Sequence, residues 1–363
     1  MKVVHVLYSG LGGHGNVFFS MVNANKNQEY VFEAIFNGVE EIRSEYIERC
    51  KAMHIGYQYI HKNSGLDLNF YRNLYKGLKH TKPEVILVHG SSAILPICFV
   101  KIFGRGKKKI AVRETQANHL KNRKEWFWLA VSLLVANRII FLSEEYNGQV
   151  RKKMNWIYNR KKIVVIPNGI DLELFKPRDK LVSDEIVFGM QSRLVMIKDH
   201  LTMFEAFAKL LRDTPQKRYV LKIAGDGDYK SVLEKRVKEL GLEKNIQFVG
   251  VLNESELAGF LHGLDVYLHA SFGETMSTAI MQAMACKKPI IASDVPGINN
   301  MIQHCKTGLL VPVKDPDAMT HAMNKLIEDS DLAKYLANNA YKKAVEKFSN
   351  ELMFNQYKKF VFN

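Results

Sequence analysis

Cysteine is scarce in this chain of 363 residues. The four present, Cys50, Cys98, Cys286 and Cys305, lie far apart and form no C-x-x-C pair. That spacing excludes a disulfide framework and fits a reducing compartment. Long apolar runs are missing too: the stretch Trp126–Ala136 falls well short of the roughly 20 residues a bilayer span needs. The opening MKVVHVLYSG lacks the small-residue cleavage site of a secretory leader. Acidic residues are depleted in one region. Between Arg72 and Lys162 there are five Asp or Glu against twenty Lys or Arg, an excess equal to the whole chain's net charge of +15. Within that region KIFGRGKKK, HLKNRK and RKKMNWIYNRKK flank the aromatic segment EWFWLAVSLLVA. Basic residues interleaved with aromatics suit an anionic membrane surface. Charge that serves solubility alone is the plainer alternative, and a nucleic-acid partner is not expected.

What is present is an alternation. Val- and Ile-rich runs such as MKVVHVLYS, YVFEAIFN, EVILVHG, KIAVRE, RIIFLS and KIVVIPNG precede the segment IPNGIDLELFKP. EIVFGMQS, YVLKIAG, IQFVGV, DVYLHAS, PIIASD and GLLVPV follow it. Amphipathic stretches such as HLTMFEAFAKLLRD lie between them. Alternating strand and helix predicts an α/β protein with two doubly wound parallel sheets. The expected domains are 1–170, 171–345 and a C-terminal helix, 346–363, packing back on the first. Ligands are expected at the carboxyl ends of the strands.

The glycine loop GLGGHG, with Gly10, Gly12, Gly13 and Gly15, has dinucleotide-fingerprint spacing. A dinucleotide site also needs an acid closing the second strand, and YVFEAIFNG ends in Asn37–Gly38 instead. The loop is therefore read as a tight turn beside a helix N-terminus, with Gly12 and Gly13 able to approach a ligand.

The second half carries a denser constellation. SFGETMSTAIMQAMACKKPIIASDVPGI places Glu274 seven residues before Gln282, then A-M-A, P-I-I-A and an S-D-x-x-G loop. QSRLVMIKDH offers Arg193 and Lys198, AGDGDY offers Gly225 and Asp226, and FVGVL offers Val251 and Leu252. In this order these motifs resemble the family-4 retaining glycosyltransferases of the GT-B fold, two Rossmann-like domains facing across a cleft. The resemblance covers nearly the whole chain. It implies a hexosyltransferase that moves a sugar from a nucleotide-sugar, UDP-linked by family frequency, to a lipid-linked saccharide in bacterial surface polysaccharide (O-antigen or capsule). It also implies retention of configuration without a protein nucleophile, no cofactor, no metal, and a cytoplasmic protein peripheral on the inner membrane face.

By the same resemblance Glu274 holds donor-sugar hydroxyls, Gln282 holds the ribose, and the backbone at Val251 and Leu252 meets the base. The helix beginning near Thr275, Met276, Ser277 and Thr278 presents free N–H groups suited to a diphosphate. Arg193 and Lys198 supply positive charge for the leaving group. If helical throughout, Glu274 to Gln282 spans about 12 Å, near the sugar-to-ribose distance of such a donor. Two departures stand out: Gln282 replaces a glutamate, and Thr275–Met276–Ser277 replaces G-F-G. In the first domain the candidates are His89, Arg113 and Glu114, with His119 nearby, on loops that follow middle strands. The alternatives are another GT-B activity, such as a sugar-nucleotide epimerase, and a non-catalytic basic binding protein.

Overall fold

The computed structural model describes residues 1–10, 13–65, 67–103, 108–179 and 183–363. The predicted Gly12 contact lies outside the described residues. The chain divides into two compact units, Met1–Gly169 with Asn350–Asn363, and Ile170–Ser349.

The first unit is built on a seven-stranded sheet. Its strands are β1 (Lys2–Tyr8), β2 (Val31–Gly38), β3 (Gly56–His61), β4 (Val85–His89), β5 (Lys109–Arg113), β6 (Arg138–Phe141) and β7 (Ile163–Val165). All pair in parallel, in the order β3-β2-β1-β4-β5-β6-β7. The central strands are buried on both faces, which is why β4 reads VILVH without polar alternation. The second unit repeats the plan with β8 (Glu185–Gln191), β9 (Arg218–Ala224), β10 (Ile246–Gly250), β11 (Val266–His269), β12 (Ile290–Ser293) and β13 (Leu309–Val311). Its order is β10-β9-β8-β11-β12-β13, again all parallel. In each sheet the order reverses beside the first strand, between β1 and β4 and between β8 and β11. Those switch points open crevices at the carboxyl ends of the strands.

The helix Ser330–Lys347 belongs to the second unit and runs past residue 345. Phe348 is buried in that unit's core, and Ser349 bridges Ile170. The terminal segment from Asn350 belongs to the first unit. There Phe354 and Phe362 pack edge-on or tilted against Tyr30 and Phe32. Aromatic burial of this kind gives a short helix, Asn350–Tyr357, a stability its length alone could not.

The opening glycine loop is shaped by packing. A Cβ on Gly15 would meet the Tyr46 ring at 2.3 Å, and one on Gly10 would meet the Glu40 carboxyl at 2.0 Å. Both glycines make room for protein side chains. Gly13 is exposed at the start of the helix Gly13–Ala24.

Candidate functional site

In the second unit the switch point gathers the predicted residues. β8 ends at Gln191, and the loop after it carries Arg193 and Lys198 before Asp199 caps the next helix through Thr202. The glycine loop after β9 braces this segment. Leu194 N–H donates to the Asp226 carbonyl at 2.9 Å, and Ser192 N–H to Ala224 at 3.0 Å. Gly225 has φ +134, and a Cβ there would lie 1.9 Å from the Ser192 carbonyl oxygen, so only glycine permits this approach. Asp226 is exposed, and its carboxylate accepts from the Gly227 N–H.

β11 ends at His269, and the following loop leads to Glu274. Phe272 N–H donates to the Ile197 carbonyl at 2.9 Å, which draws the two loops together. Lys198 Nζ consequently pairs with Glu274 Oε1, both side chains being about one-seventh exposed. Burial pushes the Glu274 carboxyl up. The Lys198 ammonium and a hydrogen bond from His269 outweigh it and hold the carboxyl down at about 2. Behind it Gly297, at φ +85, presses on the Glu274 backbone.

The helix associated with this loop is Thr278–Ala285, capped by Ser277 Oγ, which accepts from Ile280 N–H. Glu274 therefore precedes the helix, and the 12 Å helical spacing does not apply. Thr275, Met276 and Thr278 are half-buried around that N-terminus. Gln282 is buried, and its Oε1 accepts from Gln191 Nε2 at 2.5 Å. Val251 and Leu252 follow β10, with Val251 exposed. Arg193 is exposed and makes no side-chain hydrogen bond or ion pair among the described residues.

Sequence reasoning missed His269. It is fully buried between Glu274 and Tyr267. The available signal was a polar residue closing DVYLH, where a buried strand otherwise carries only apolar side chains.

In the first unit the strand ends frame a second site. Arg113 and Glu114 are neighbours in sequence but turn to different surroundings. Arg113 is buried, donating to Asn168 Oδ1 and reaching His89 Nδ1 at 3.4 Å. Guanidinium only donates, so His89 accepts at Nδ1 and donates from Nε2 to His5 Nδ1, 3.1 Å away. Burial, with the Arg113 charge second, pushes both imidazoles down, His5 to about 3. Glu114 instead accepts from Ser91 Oγ at 2.6 Å and Gln116 N–H at 3.1 Å, with Lys121 Nζ at 3.5 Å. These groups, with Tyr8, His89 and Trp128, line a cavity of about 330 Å³. His119 is exposed on the turn Asn118–Leu120.

Two doubly wound parallel units, the second with a cation–carboxylate pair at its switch point, define the GT-B class. Residues 173–343 match the family described as glycosyl transferases group 1, and residues 11–174 match glycosyltransferase family 4. Together the matches run from residue 11 to residue 343, and the chain belongs to the family-4 glycosyltransferases.

An uncharacterised glycosyltransferase of Methanocaldococcus jannaschii is 28% identical over 52% of this chain, and the chain spans 50% of that relative's length. A UDP-Gal:alpha-D-GlcNAc-diphosphoundecaprenol alpha-1,3-galactosyltransferase of Escherichia coli is 26% identical over 78% of this chain and 76% of its own length. The solved structure of Anabaena HepE in complex with UDP and glucose superposes with a TM-score of 0.82 at 17% identity, covering 99% of this chain and 98% of that one. That likeness is one of fold.

Proposed function

We propose that this glycosyltransferase moves a hexose from a UDP-sugar to a hydroxyl of a lipid-linked saccharide in bacterial surface-polysaccharide synthesis, retaining configuration without a divalent cation or other cofactor. The observation that carries the reading is the Lys198–Glu274 pair beside the capped N-terminus of Thr278–Ala285. Lys198, Arg193 and that helix N-terminus are the positive groups suited to a departing diphosphate. Glu274, held as an anion, accepts hydrogen bonds from sugar hydroxyls. Gln282, a neutral amide, serves the ribose, and the backbone after β10 meets the base. The first unit's cavity, with Glu114 and Trp128, offers polar and stacking groups to an acceptor sugar. The Escherichia coli relative is named for a UDP-linked donor and a diphosphoundecaprenol-linked acceptor, which supports both halves.

Calorimetry with UDP, GDP and NAD, without metal, tests the donor assignment. UDP is expected to bind at micromolar Kd, NAD not at all, and Arg193→Ala to weaken UDP about tenfold through loss of a charge-assisted contact. NAD binding without UDP binding would return GLGGHG to a dinucleotide role.

A lipid-linked acceptor is consistent with a peripheral cytoplasmic protein working at an anionic membrane surface. No helix among the described residues is long and apolar enough to cross one. The helices Ile94–Phe103 and Arg123–Val135 pack together and expose Phe99, Ile102, Phe127 and Leu134, with Trp156 81% exposed on the same unit. Lys101 Nζ joins the helices at the Val135 carbonyl, 2.6 Å away. Sedimentation with phosphatidylglycerol-containing vesicles is expected to pull the protein down in a salt-sensitive way. Phosphatidylcholine vesicles should not, and Phe127→Glu with Leu134→Glu should abolish the effect. Equal binding to both lipids, or none to either, would overturn the surface assignment.

A further inference from the structure

The His269 imidazole sits where the two halves of the donor site meet. Its Nε2 lies 2.9 Å from Glu274 Oε1 and 3.3 Å from Ser277 Oγ, the hydroxyl that caps Thr278–Ala285. Its Nδ1 lies 3.2 Å from the Tyr267 hydroxyl. A carboxylate can only accept, so Nε2 carries the proton toward Glu274 and Nδ1 accepts from Tyr267. The ring is fully buried, where an imidazole without partners would be costly. A leucine would fill the end of β11 without that cost.

We infer that His269 is a positioning residue. Its Nε2–H fixes the Glu274 carboxylate against Lys198 and ties it to the capped helix N-terminus through Ser277. The Glu274 carboxylate sets the tautomer, and the Tyr267 hydroxyl, 3.2 Å from Nδ1, steadies the ring. The titratable groups around the ring are Glu274, Lys198, Tyr267 and His200. Burial holds His269 below its ordinary value, so at neutral pH it acts as a neutral donor and leaves the pair's charge to Lys198.

The kinetic part rests on the donor-site reading above. The titration part does not. In protein carrying ¹³C-glutamate, the Glu274 carboxyl, assigned by its loss in Glu274→Gln, is expected to stay ionised to the lowest pH at which the wild type is folded. In His269→Leu its midpoint is expected to rise by about one pH unit, because one hydrogen bond to the charged form is gone. His269→Gln, which can return an amide N–H near the Nε2 position, is expected to reverse most of that rise. ¹⁵N-histidine spectra are expected to show Nε2–H in the wild type and in Tyr267→Phe, a milder variant that keeps the carboxylate acceptor and loses only the hydroxyl at Nδ1.

With a UDP-sugar, His269→Leu is expected to lower kcat by about tenfold to a hundredfold, as a misplaced catalytic group does, while the Kd for UDP moves less than about threefold. A Glu274 carboxyl in His269→Leu that stays ionised to as low a pH as in the wild type, or an Nδ1–H wild type, overturns the inference. Equal losses in UDP binding and kcat would mark His269 as structural only and also overturn it. If the titrations come out as stated but no nucleotide-sugar binds or turns over, the donor reading fails and the positioning of Glu274 stands.

Discussion

Lys198→Ala is expected to lower kcat/KM for UDP-sugar turnover by about a thousandfold and to destabilise the fold by about 3 kcal/mol. The two losses have different origins. The first removes positive charge from the departing diphosphate. The second leaves the Glu274 carboxylate, only 14% exposed, without its counter-ion. The double variant Lys198→Ala/Glu274→Gln separates them. It is expected to recover most of the stability measured by urea unfolding while remaining inactive, because no uncompensated charge is left. A double variant as unstable as the single one would show that the pair does not carry the loss.

The pH dependence follows from the sign of the shift. Glu274 is held down from an ordinary value near 4.5 to about 2. A depressed carboxyl contributes stability above its unfolded value and loses it as pH falls toward the folded one. The wild type should therefore shed this contribution between about pH 4.5 and 2. In Lys198→Ala the largest cause that lowers the carboxyl is gone, so it is expected to titrate higher than in the wild type. The stability gap between variant and wild type should be widest at neutral pH and narrow on acidification.

Gly297→Ala is the second large effect. At φ +85 an added Cβ would lie 2.0 Å from the Glu274 carbonyl oxygen and 2.5 Å from its carbon. Both are backbone atoms, so no side chain can rotate away. Glu274 N–H also donates to the Pro296 carbonyl at 3.3 Å, so the two loops cannot separate without losing that bond. The expected cost is about 3 kcal/mol from left-handed strain and overpacking, with UDP affinity falling as the Glu274 loop shifts. Gly148→Ala is the control: it lies mid-helix with nothing within 4 Å of its added Cβ, and should stabilise by about 0.5–1 kcal/mol. Urea midpoints displaced in opposite directions are the expected result. A Gly297→Ala protein as stable as wild type would mean that the loop yields.

Most strands legible in the sequence are central ones buried on both faces, whose Val and Ile runs mark them; the edge strands β7 and β10 were legible from the same Val, Ile and Phe content although they are partly exposed. β3, GYQYIH, was missed. It is an edge strand, mostly half-buried or exposed, and its polar residues give no such signal. The second-unit site was legible in its residue types, since Glu274, Arg193, Lys198 and the glycine loop stand in a dense order. The relation between Arg113 and Glu114 was not, because successive residues at a strand end point to opposite faces. Gln282 stood out as a departure, yet nothing local announced Gln191 as its partner 91 residues earlier.

By itself the sequence determined the alternation of strand and helix, the division near residue 170, the basic first half and the chemistry available at each loop. These depend on local periodicity and composition, which neighbouring residues carry. Tertiary structure alone decided which charges meet. Lys198 reaches Glu274 only because β8 and β11 lie side by side at the switch point, where Phe272 and Ile197 tie their loops. It also decided that His269, a single polar residue at the end of an apolar strand, faces that carboxylate. Pairing energies depend on distances of a few ångströms between residues tens of positions apart, and only the packed sheet sets those distances.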